Sequence, residues 1–461
     1  MGYFYAEGEQ KIRAGVYKRY SNRTPAGEEP LLDGVNAIVI QSAWGPVDAV
    51  TTHTSQKSIR ETYGDGEGTD AALAVMGGGA SCVYICRTGK GKGTAGTAVI
   101  DEKLTITAKY PGEKALKVKV QAMPGEEDKK QLLIVDGTAV KETYTVDAGD
   151  TEASLFADAL ADSSYVTAAA VVNGSLAASE VSLTGGKNPE VTLADYVEGF
   201  YALEPYHYNV ICTDSEDVDV ADALTEYVEE SVEAGKQVIA VTGQGSGTEF
   251  KKRLARAKEM NSAYIVYLGN GYVDADGNRV EGVKAVAYTA GMVSATPSSQ
   301  SVVHAIVPGA ADTIEKFTNA QYEEAIRNGM LLFSRSQDGQ VWFDSGINTL
   351  TELSEKQDAG WKKIKRTKVR IELMARIDRV LERKIGRVNC DPDGIADILQ
   401  TGTGVLNAMV EERKLLAGAR MYEDPENPYG ADSAWFLIEA DDVDTLEKIY
   451  LHYQFRYSQN V

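Results

Sequence analysis

The sequence predicts a multidomain protein of mixed α/β and α+β class. Apolar strands alternate with amphipathic helices in two separate parts of the chain, and short strands with glycine-containing turns predominate between them. A chain of 461 residues is also too long for one hydrophobic core. We therefore predict a central, mostly parallel α/β sheet domain with an inserted β-rich domain, a C-terminal α+β domain, and extended strand arms at the N- and C-terminal ends.

The predicted α/β core has two parts, 31–92 and 189–350. In the first part, apolar strands at 35–42 and 81–87 flank two short helices. In the second part, three helical segments each precede a short apolar strand and a fourth precedes an extended segment, which is typical of a parallel sheet with helices on its faces. These pairs are 193–203 with 208–212, 218–234 with 237–241, 248–260 with 263–268, and 283–295 with 304–307.

The predicted inserted β-rich domain is residues 93–188. Turn sequences such as Pro111-Gly112 and Asp136-Gly137 separate its strands, and one helix near 151–161 interrupts them. The predicted strands are 104–108, 116–122, 131–135, 140–146 and 180–183.

Residues 351–440 are the predicted C-terminal α+β domain, with a long helix from Trp361 to Val388. Its apolar residues recur every three, four or seven positions and so share one face. The opposite face is strongly basic and includes Lys362, Lys363, Lys365, Arg366 and Lys368. Such a face is either solvated or locally neutralised, or it is a docking surface for an acidic partner. The docking interpretation gains weight because the whole chain has a net charge of −21.

The segment 441–461 is predicted to be an acidic linker followed by a strand. The alternation that begins at Ile449 places Ile449, Leu451, Tyr453 and Phe455 on one face of that strand. Its pairing partner must be a sheet formed earlier in the chain or a sheet of another molecule. The strand therefore either closes its own domain or is donated to a neighbour.

Residues 1–30 are a predicted N-terminal arm. Within it, 11–20 resembles a short extended segment whose apolar residues include Val16 and Tyr17, and a loop follows at 21–27. Strand-like arms at both ends of a large acidic chain suggest a subunit that is linked to its neighbours.

The composition limits the classes of partner. A net charge of −21 argues against general binding to nucleic acid or to anionic membranes, since both require a positive surface. Four cysteines without a regular framework favour a reducing compartment. We expect no secretory signal and no membrane-spanning segment, because no basic start leads into an apolar run and no stretch approaches about 20 apolar residues.

No catalytic, cofactor-binding or metal site is predicted. Gly91–Gly96 fits G-x-G-x-x-G, but β-type sequence follows where a dinucleotide site needs a helix. Gly243–Gly247 lies between a strand and a helix but lacks the lysine of a phosphate loop. Asp274–Asn278 lacks the glutamate of a calcium loop, since Ala285 occupies that position. The four histidines have no ligand spacing, and no nucleophile motif is present.

The order of these parts resembles the tail sheath proteins of contractile bacteriophage tails and phage-derived injection particles, in the form found in prophages of Gram-positive bacteria. No single motif is diagnostic, but the ordered set covers essentially the whole chain. The stretches that carry the resemblance are Ala14–Tyr17, Trp44–Val47, Tyr63-Gly64, Gly346–Leu350, the helix Lys362–Arg387 and the closing strand Lys448–Tyr457.

The resemblance implies a structural role rather than an enzymatic one. Sheath subunits of this family form stacked rings around an inner tail tube, and their terminal arms add strands to neighbouring subunits. The metastable sheath contracts without nucleotide hydrolysis and drives the tube through a target envelope. The expected partners are further copies of the chain, the tube protein, and the baseplate and tail terminator proteins. The expected location is a virion tail or phage-like particle assembled in the bacterial cytoplasm.

The resemblance also implies roles for particular residues. The family's C-terminal helix faces the tube, which makes Lys362, Lys363, Lys365, Arg366 and Lys368 candidates for tube contact. The candidates for strand exchange are Val16, Tyr17, Ile449, Leu451, Tyr453 and Phe455.

Two other functions remain open from the sequence. The first is an α/β enzyme or small-ligand-binding protein that uses the Gly243–Gly247 loop. The second is another self-assembling particle protein, such as a capsid or tube subunit, although the long α/β centre argues against a tube.

Overall fold

The computed structural model describes residues 3–4, 17–18, 33–47, 49–355 and 357–455, and side chains from Asp33 onward except that of Glu127. The chain divides into two units, Met1–Leu32 and Asp33–Val461. In the first unit, two short strands, β1 (Tyr3–Phe4) and β2 (Tyr17–Lys18), pair in parallel.

The described part of the second unit contains the remaining strands and ten α-helices. In chain order the strands are β3 (Val35–Ile40), β4 (Val50–His53), β5 (Cys82–Arg87), β6 (Thr97–Ile100), β7 (Leu104–Ala108), β8 (Leu116–Met123), β9 (Glu126–Asp136), β10 (Ala139–Asp147), β11 (Val166–Ala170), β12 (Ser179–Ser182), β13 (Val210–Thr213), β14 (Ile239–Gly243), β15 (Ile265–Leu268), β16 (Tyr272–Asp274), β17 (Arg279–Val280), β18 (Ala310–Thr313), β19 (Met330–Leu331), β20 (Phe333–Arg335), β21 (Val341–Phe343), β22 (Arg420–Glu423) and β23 (Phe436–Glu439). The helices are α1 (Gln56–Tyr63), α2 (Glu67–Gly77), α3 (Glu152–Ala159), α4 (Leu193–Ala202), α5 (Val218–Glu233), α6 (Phe250–Met260), α7 (Val283–Ala295), α8 (Asn319–Arg327), α9 (Ile364–Glu382) and α10 (Pro392–Glu411).

The largest sheet has seven strands in the order β19-β15-β14-β13-β3-β5-β4. Every neighbouring pair is parallel except β4 with β5, so the prediction of a mostly parallel sheet is confirmed. Strand β3 is buried on both faces because helices cover the sheet on both sides. Ile38 and Ile40 pack with residues of α2 and α7, whereas Ala37 and Val39 pack with residues of α4, α5 and α6.

A second apolar core lies among the strands between β6 and β12. They form one sheet of order β10-β9-β8-β12 and one of order β11-β7-β6, and α3 packs with them. Trp44, which follows β3, joins this core: its ring meets that of Tyr110 edge-on at 5.1 Å and stacks on that of Tyr165 at 6.2 Å. The buried aromatic contact therefore holds the segment after β3 against the inserted strands.

The element predictions inside this region were incomplete. Strands β6 and β11 were not predicted, and β9 extends well before the predicted 131–135. Elsewhere, the predicted extended segment 304–307 forms an isolated bridge, Ile306 with Trp342, and helix α8 was not predicted.

The last described helices and strands pack around a small core near the C-terminal end. The predicted helix 361–388 is a 3₁₀ turn, Ala359–Lys362, followed by α9, which ends at Glu382. Helix α10 packs against α9 and the hairpin β22–β23 through Val369, Leu406 and Met421. Among the described residues, no helix is long and apolar enough to cross a membrane.

Candidate functional site

The start of α9, defined here as Lys363–Arg370, lies where several parts of the chain meet. Ile364 packs into the core of the large sheet, whereas Val369 packs with α10. Lys363 forms an isolated bridge with Ile347, and the Ile364 N–H donates to Gly346 O at 3.0 Å. These apolar and backbone contacts fix the position of the charged side chains on this part of the helix.

One face of the α9 start binds the acidic linker that precedes the predicted donated strand. Arg366 makes a two-pronged contact with Asp442, with Nε to Oδ2 at 2.7 Å and Nη2 to Oδ1 at 2.5 Å. Arg370 Nη2 donates to the same carboxylate at 3.2 Å. Lys363 Nζ donates to Asp444 at 2.6 Å and to Glu447 at 2.9 Å. Five hydrogen bonds in four ion pairs thus hold the linker.

The electrostatics of the linker follow from these contacts. The Asp442 side chain is only 6% exposed. Burial alone would raise the pKa of Asp442, but the hydrogen bonds and charges of Arg366 and Arg370 hold that pKa below its usual value. Lys363 likewise holds the pKa of Asp444 below its usual value against the effect of burial. Both carboxylates are therefore charged at neutral pH and are neutralised by their own chain.

The backbone of the linker is bound as well. Asp442 forms an antiparallel bridge with Leu415, which follows α10. Leu416 N–H donates to Asp441 O at 2.8 Å, and Val443 N–H donates to Lys414 O at 2.9 Å. Lys365 Nζ donates to Val443 O. We call residues Asp441–Asp444 the C-terminal root, because side-chain and backbone bonds both fix it.

The opposite face of the α9 start contains a buried lysine. Lys368 Nζ donates to the carbonyls of Val293 at 2.7 Å, Ser294 at 3.3 Å and Thr296, at the C-terminal end of α7. It also pairs with Asp33 at 3.6 Å. Burial lowers the pKa of Lys368 to about 8, and the charge of Asp33 opposes that shift. A cation at this position is favourable because the carbonyl end of a helix is the negative end of its dipole.

The five predicted tube-facing residues do not form an open basic surface in this structure. Lys365 and Lys368 are buried, and Lys363 and Arg366 bind the C-terminal root. Lys362 Nζ donates to Thr351 O at 2.5 Å. The alternative of local neutralisation therefore describes this end of the helix better than a docking surface. The acidic residues that neutralise it belong to the segment predicted to be an acidic linker.

The predicted donated strand takes no helical or strand conformation over its described part, up to Phe455. Its apolar side chains are strongly exposed, from 69% for Leu451 and 71% for Ile449 to 94% for Phe455. The rings of Tyr453 and Phe455 stack on each other at 6.4 Å. Soluble proteins seldom expose a contiguous apolar segment of this size unless it is an interaction site.

The N-terminal candidates are less well defined. Tyr17 begins β2, and its side chain is outside the described part of the structure. Val16 lies outside the described residues.

The Gly243–Gly247 loop is occupied by carboxylates of the same chain. The Gly245 N–H donates to Glu216 at 2.9 Å, and the Ser246 N–H and Oγ donate to Glu281 at 3.0 and 2.6 Å. The hydrogen bonds from Ser246, opposing burial, hold the pKa of Glu281 below its usual value. A loop whose donors already bind two anionic side chains is a poor phosphate site.

The carboxyl ends of β3 and β13 form a crevice of about 310 Å³ at the position where open α/β sheets commonly bind ligands. Asp214 lies there and accepts hydrogen bonds from Tyr196 Oη and from the Gln41 N–H, both at 2.6 Å. Burial raises the pKa of Asp214 to about 6. No group of three or more histidine, cysteine or acidic residues among those described has a metal-binding arrangement.

Comparison with known proteins gives a consistent assignment. Residues 190–349 match the family model described as the phage tail sheath protein central domain. The phage-like element PBSX protein XkdK of Bacillus subtilis is 21% identical over 479 residues, covering 97% of this chain and 98% of that protein.

Solved structures extend the similarity to the whole fold. The sheath tail protein of Desulfitobacterium hafniense matches with a TM-score of 0.76 at 20% identity, covering 95% of this chain and 99% of that one. The helical sheath of the anti-feeding prophage in its contracted state matches with a TM-score of 0.55 at 11% identity, covering 97% and 99%. At these identities the matches establish the fold.

The proteins that match are structural proteins of contractile tails and injection systems. Within that class the match is to the tail sheath. The resemblance drawn from the sequence is thus confirmed: residues 190–349 match the sheath central domain, and the fold is that of sheath proteins.

Proposed function

We propose that the chain polymerises around an inner tail tube by exchanging terminal strands with neighbouring copies, and that the polymer contracts to drive the tube through a target envelope. The observation that carries this proposal is the exposed apolar segment Ile449–Phe455, which directly follows a firmly bound root. An added strand gains directional backbone hydrogen bonds and buries alternate side chains in a neighbour. Each large apolar side chain that becomes buried contributes about 1.5–3 kcal/mol.

Contraction requires two arrangements of the same subunits that differ in free energy. One of the structural neighbours is a sheath in its contracted state, and another is part of a baseplate. These neighbours support self-assembly and baseplate association as the role of this chain. The tube and terminator partners, assembly in the cytoplasm, and the absence of direct nucleic-acid or membrane binding remain part of the proposal.

We place the proposed tube contact at positive charge beyond the α9 start, because the basic side chains of the α9 start bind groups of their own chain. Arg383 and Arg387, beyond the C-terminal end of α9, are exposed in the structure. They belong to a chain whose net charge is −21, so they form a local basic feature on an acidic subunit. We assign to them the tube contact that the sequence had placed at Lys362–Lys368.

The test of strand exchange is polymer formation seen by negative-stain electron microscopy, with tube protein added as a nucleus. Deletion of 449–461 should abolish striated tubes and leave a folded subunit. A sharper pair uses equal added charge: Leu451→Asp with Tyr453→Asp on the predicted apolar face, and His452→Asp with Gln454→Asp on the other face.

We expect the first pair of substitutions to block polymers and the second to leave most of them intact, because only the first places charges in a buried row. Tubes formed by the deletion variant, or an equal loss in both pairs, would contradict strand exchange.

A further inference from the structure

We propose that the α9 start is a rigid connection between the two arms, so that a displacement of one arm root is transmitted to the other. This inference rests on the proposed function only for the role of the arms in strand exchange. The connection itself is a property of the single subunit. Lys363, Lys365 and Arg366 of this helix bind the C-terminal root, and Lys368 binds the N-terminal root.

The N-terminal root is Asp33 and Gly34, the first residues described after the predicted arm. Asp33 pairs with Lys368 at 3.6 Å. The Gly34 N–H donates to Ser294 O at 3.0 Å, and Gly34 O accepts from the Ser81 N–H at 2.8 Å. Lys368 Nζ donates to that same Ser294 carbonyl. The Ser294 carbonyl at the end of α7 therefore accepts hydrogen bonds both from Gly34 of the N-terminal root and from Lys368 of α9.

The charged side chains that bind the two roots lie on neighbouring turns of α9. Arg366 and Lys368 are two residues apart, which corresponds to roughly 200° of rotation around a helix. Lys363, Arg366 and Arg370 follow the three- and four-residue spacing of a single face. Lys365, three residues before Lys368, lies nearer to the face of that lysine and also donates to the C-terminal root. The helix thus contacts both roots directly.

A buried charge network makes this part of the helix hard to move independently. Glu372, one turn beyond Lys368, accepts from Lys414 at 2.7 Å and from Arg376 at 2.6 Å. The backbone carbonyl of Lys414 in turn accepts a hydrogen bond from the Val443 N–H of the C-terminal root. Lys368 therefore connects Ser294 to α9. Glu372 of α9 is connected in turn, through Lys414, to the C-terminal root.

The functional consequence concerns how a sheath polymer would change shape. If the roots are joined, a subunit pulled by its C-terminal strand turns as a body and carries its N-terminal root along. The exposed apolar segment Ile449–Phe455 lies beyond the C-terminal root. The alternative is two independent tethers, each with its own attachment to the subunit.

The experiment measures hydrogen–deuterium exchange by mass spectrometry in the isolated soluble subunit, with fragmentation to resolve the two roots. Arg366→Gln removes the main side-chain bond of the C-terminal root. Asp33→Asn removes the ion pair of the N-terminal root and leaves the buried Lys368 with its carbonyl partners, so the fold is retained. Arg383→Gln is the matched control, because Arg383 is exposed and contacts neither root.

We expect Arg366→Gln to accelerate exchange at Val443 by about tenfold or more, because the variant loses charge-assisted hydrogen bonds to the nearly buried Asp442 carboxylate. The coupling predicts a smaller acceleration at Gly34 in the same variant, and the reciprocal effect at Val443 for Asp33→Asn. Peptides from β7 should be unchanged throughout, which excludes global unfolding.

Acceleration confined to the root that was altered would overturn the connection and leave two independent tethers. No acceleration at Val443 in Arg366→Gln would overturn the binding of the C-terminal root itself. Neither result depends on polymers, so the strand-exchange proposal stands or falls separately, by its own microscopy test.

Discussion

Two neighbouring glycines at the end of α2 should respond to alanine in opposite directions. Gly77 is the last residue of α2 and is exposed, and a Cβ built on it meets no atom within 4 Å. Gly78 follows with φ −72, which any residue can adopt. A Cβ on Gly78 would nevertheless lie 2.1 Å from Tyr288 O and 2.7 Å from Met292 N of α7. The difference between the two sites is therefore one of space and not of backbone conformation.

The magnitudes follow from that contact. Since Cβ atoms essentially never approach another atom closer than 3.0 Å, Gly78→Ala requires α2 and α7 to separate by roughly 0.9 Å. Helix α7 approaches α2 just as closely at Gly291, because a Cβ on Gly291 would lie 1.9 Å from Val75 O of α2. Overpacking of this kind costs about 1–3 kcal/mol. Gly77→Ala should instead gain up to about 1 kcal/mol, because alanine loses less backbone entropy on folding.

The assay is urea unfolding of the two variants followed by far-UV circular dichroism, with midpoints compared at unchanged slope. Gly77→Ala should move the midpoint to higher urea and Gly78→Ala to lower urea. Movement in the same direction would refute the close α2–α7 contact as the reason for Gly78. Because Lys368 binds the end of α7, the Gly78 variant should also accelerate amide exchange at Gly34.

Two further predictions concern titration and charge. Burial raises the pKa of Asp214 to about 6. The folded protein therefore binds a proton at Asp214 more tightly than the unfolded chain does, and the free energy of unfolding falls as the pH rises from about 4 to 6. A shift of about two pKa units corresponds to a fall of roughly 3 kcal/mol. Asp214→Asn should remove that fall in the free energy of unfolding, and an unchanged pH profile would show that the carboxyl titrates normally. Arg383→Glu with Arg387→Glu should weaken co-assembly with tube protein more than polymerisation of the subunit alone, whereas Lys57→Glu with Arg327→Glu, exposed elsewhere, is the control for added negative charge. An equal effect of both charge reversals on sedimentation with the tube would contradict a specific contact at the end of α9.

The large sheet was predictable because its strands carry a strong signal. Val35–Ile40 and Ile239–Gly243 are apolar runs flanked by helical segments, and burial on both faces of a parallel sheet requires such runs. Strands β6 and β11 have weak patterns, TAVI and VTAAA, in which alanine and threonine are compatible with loops or helices. They become strands only because β7 lies between them and pairs with both.

The candidate site was predicted in part. The alternation at Ile449–Phe455 identified the exposed segment, since a period of two is a local property of the sequence. The role of Lys363 and Arg366 was not predicted, because their partners Asp444 and Asp442 follow more than 70 residues later and pairing at that separation depends on the fold. A basic helix followed by an acidic linker was the available indication, and it supported self-neutralisation as well as docking to a partner.

The exposure of Ile449–Phe455 has a kinetic consequence before any particle exists. Each newly made subunit presents an apolar segment that is able to pair with any open sheet edge, which is a hazard for aggregation. The net charge of −21 opposes such encounters through mutual repulsion, and at physiological ionic strength that repulsion acts only over a Debye length of about 8 Å. Under the proposed polymerisation, the same repulsion keeps free subunits apart, and raising the ionic strength should promote polymer formation by screening it.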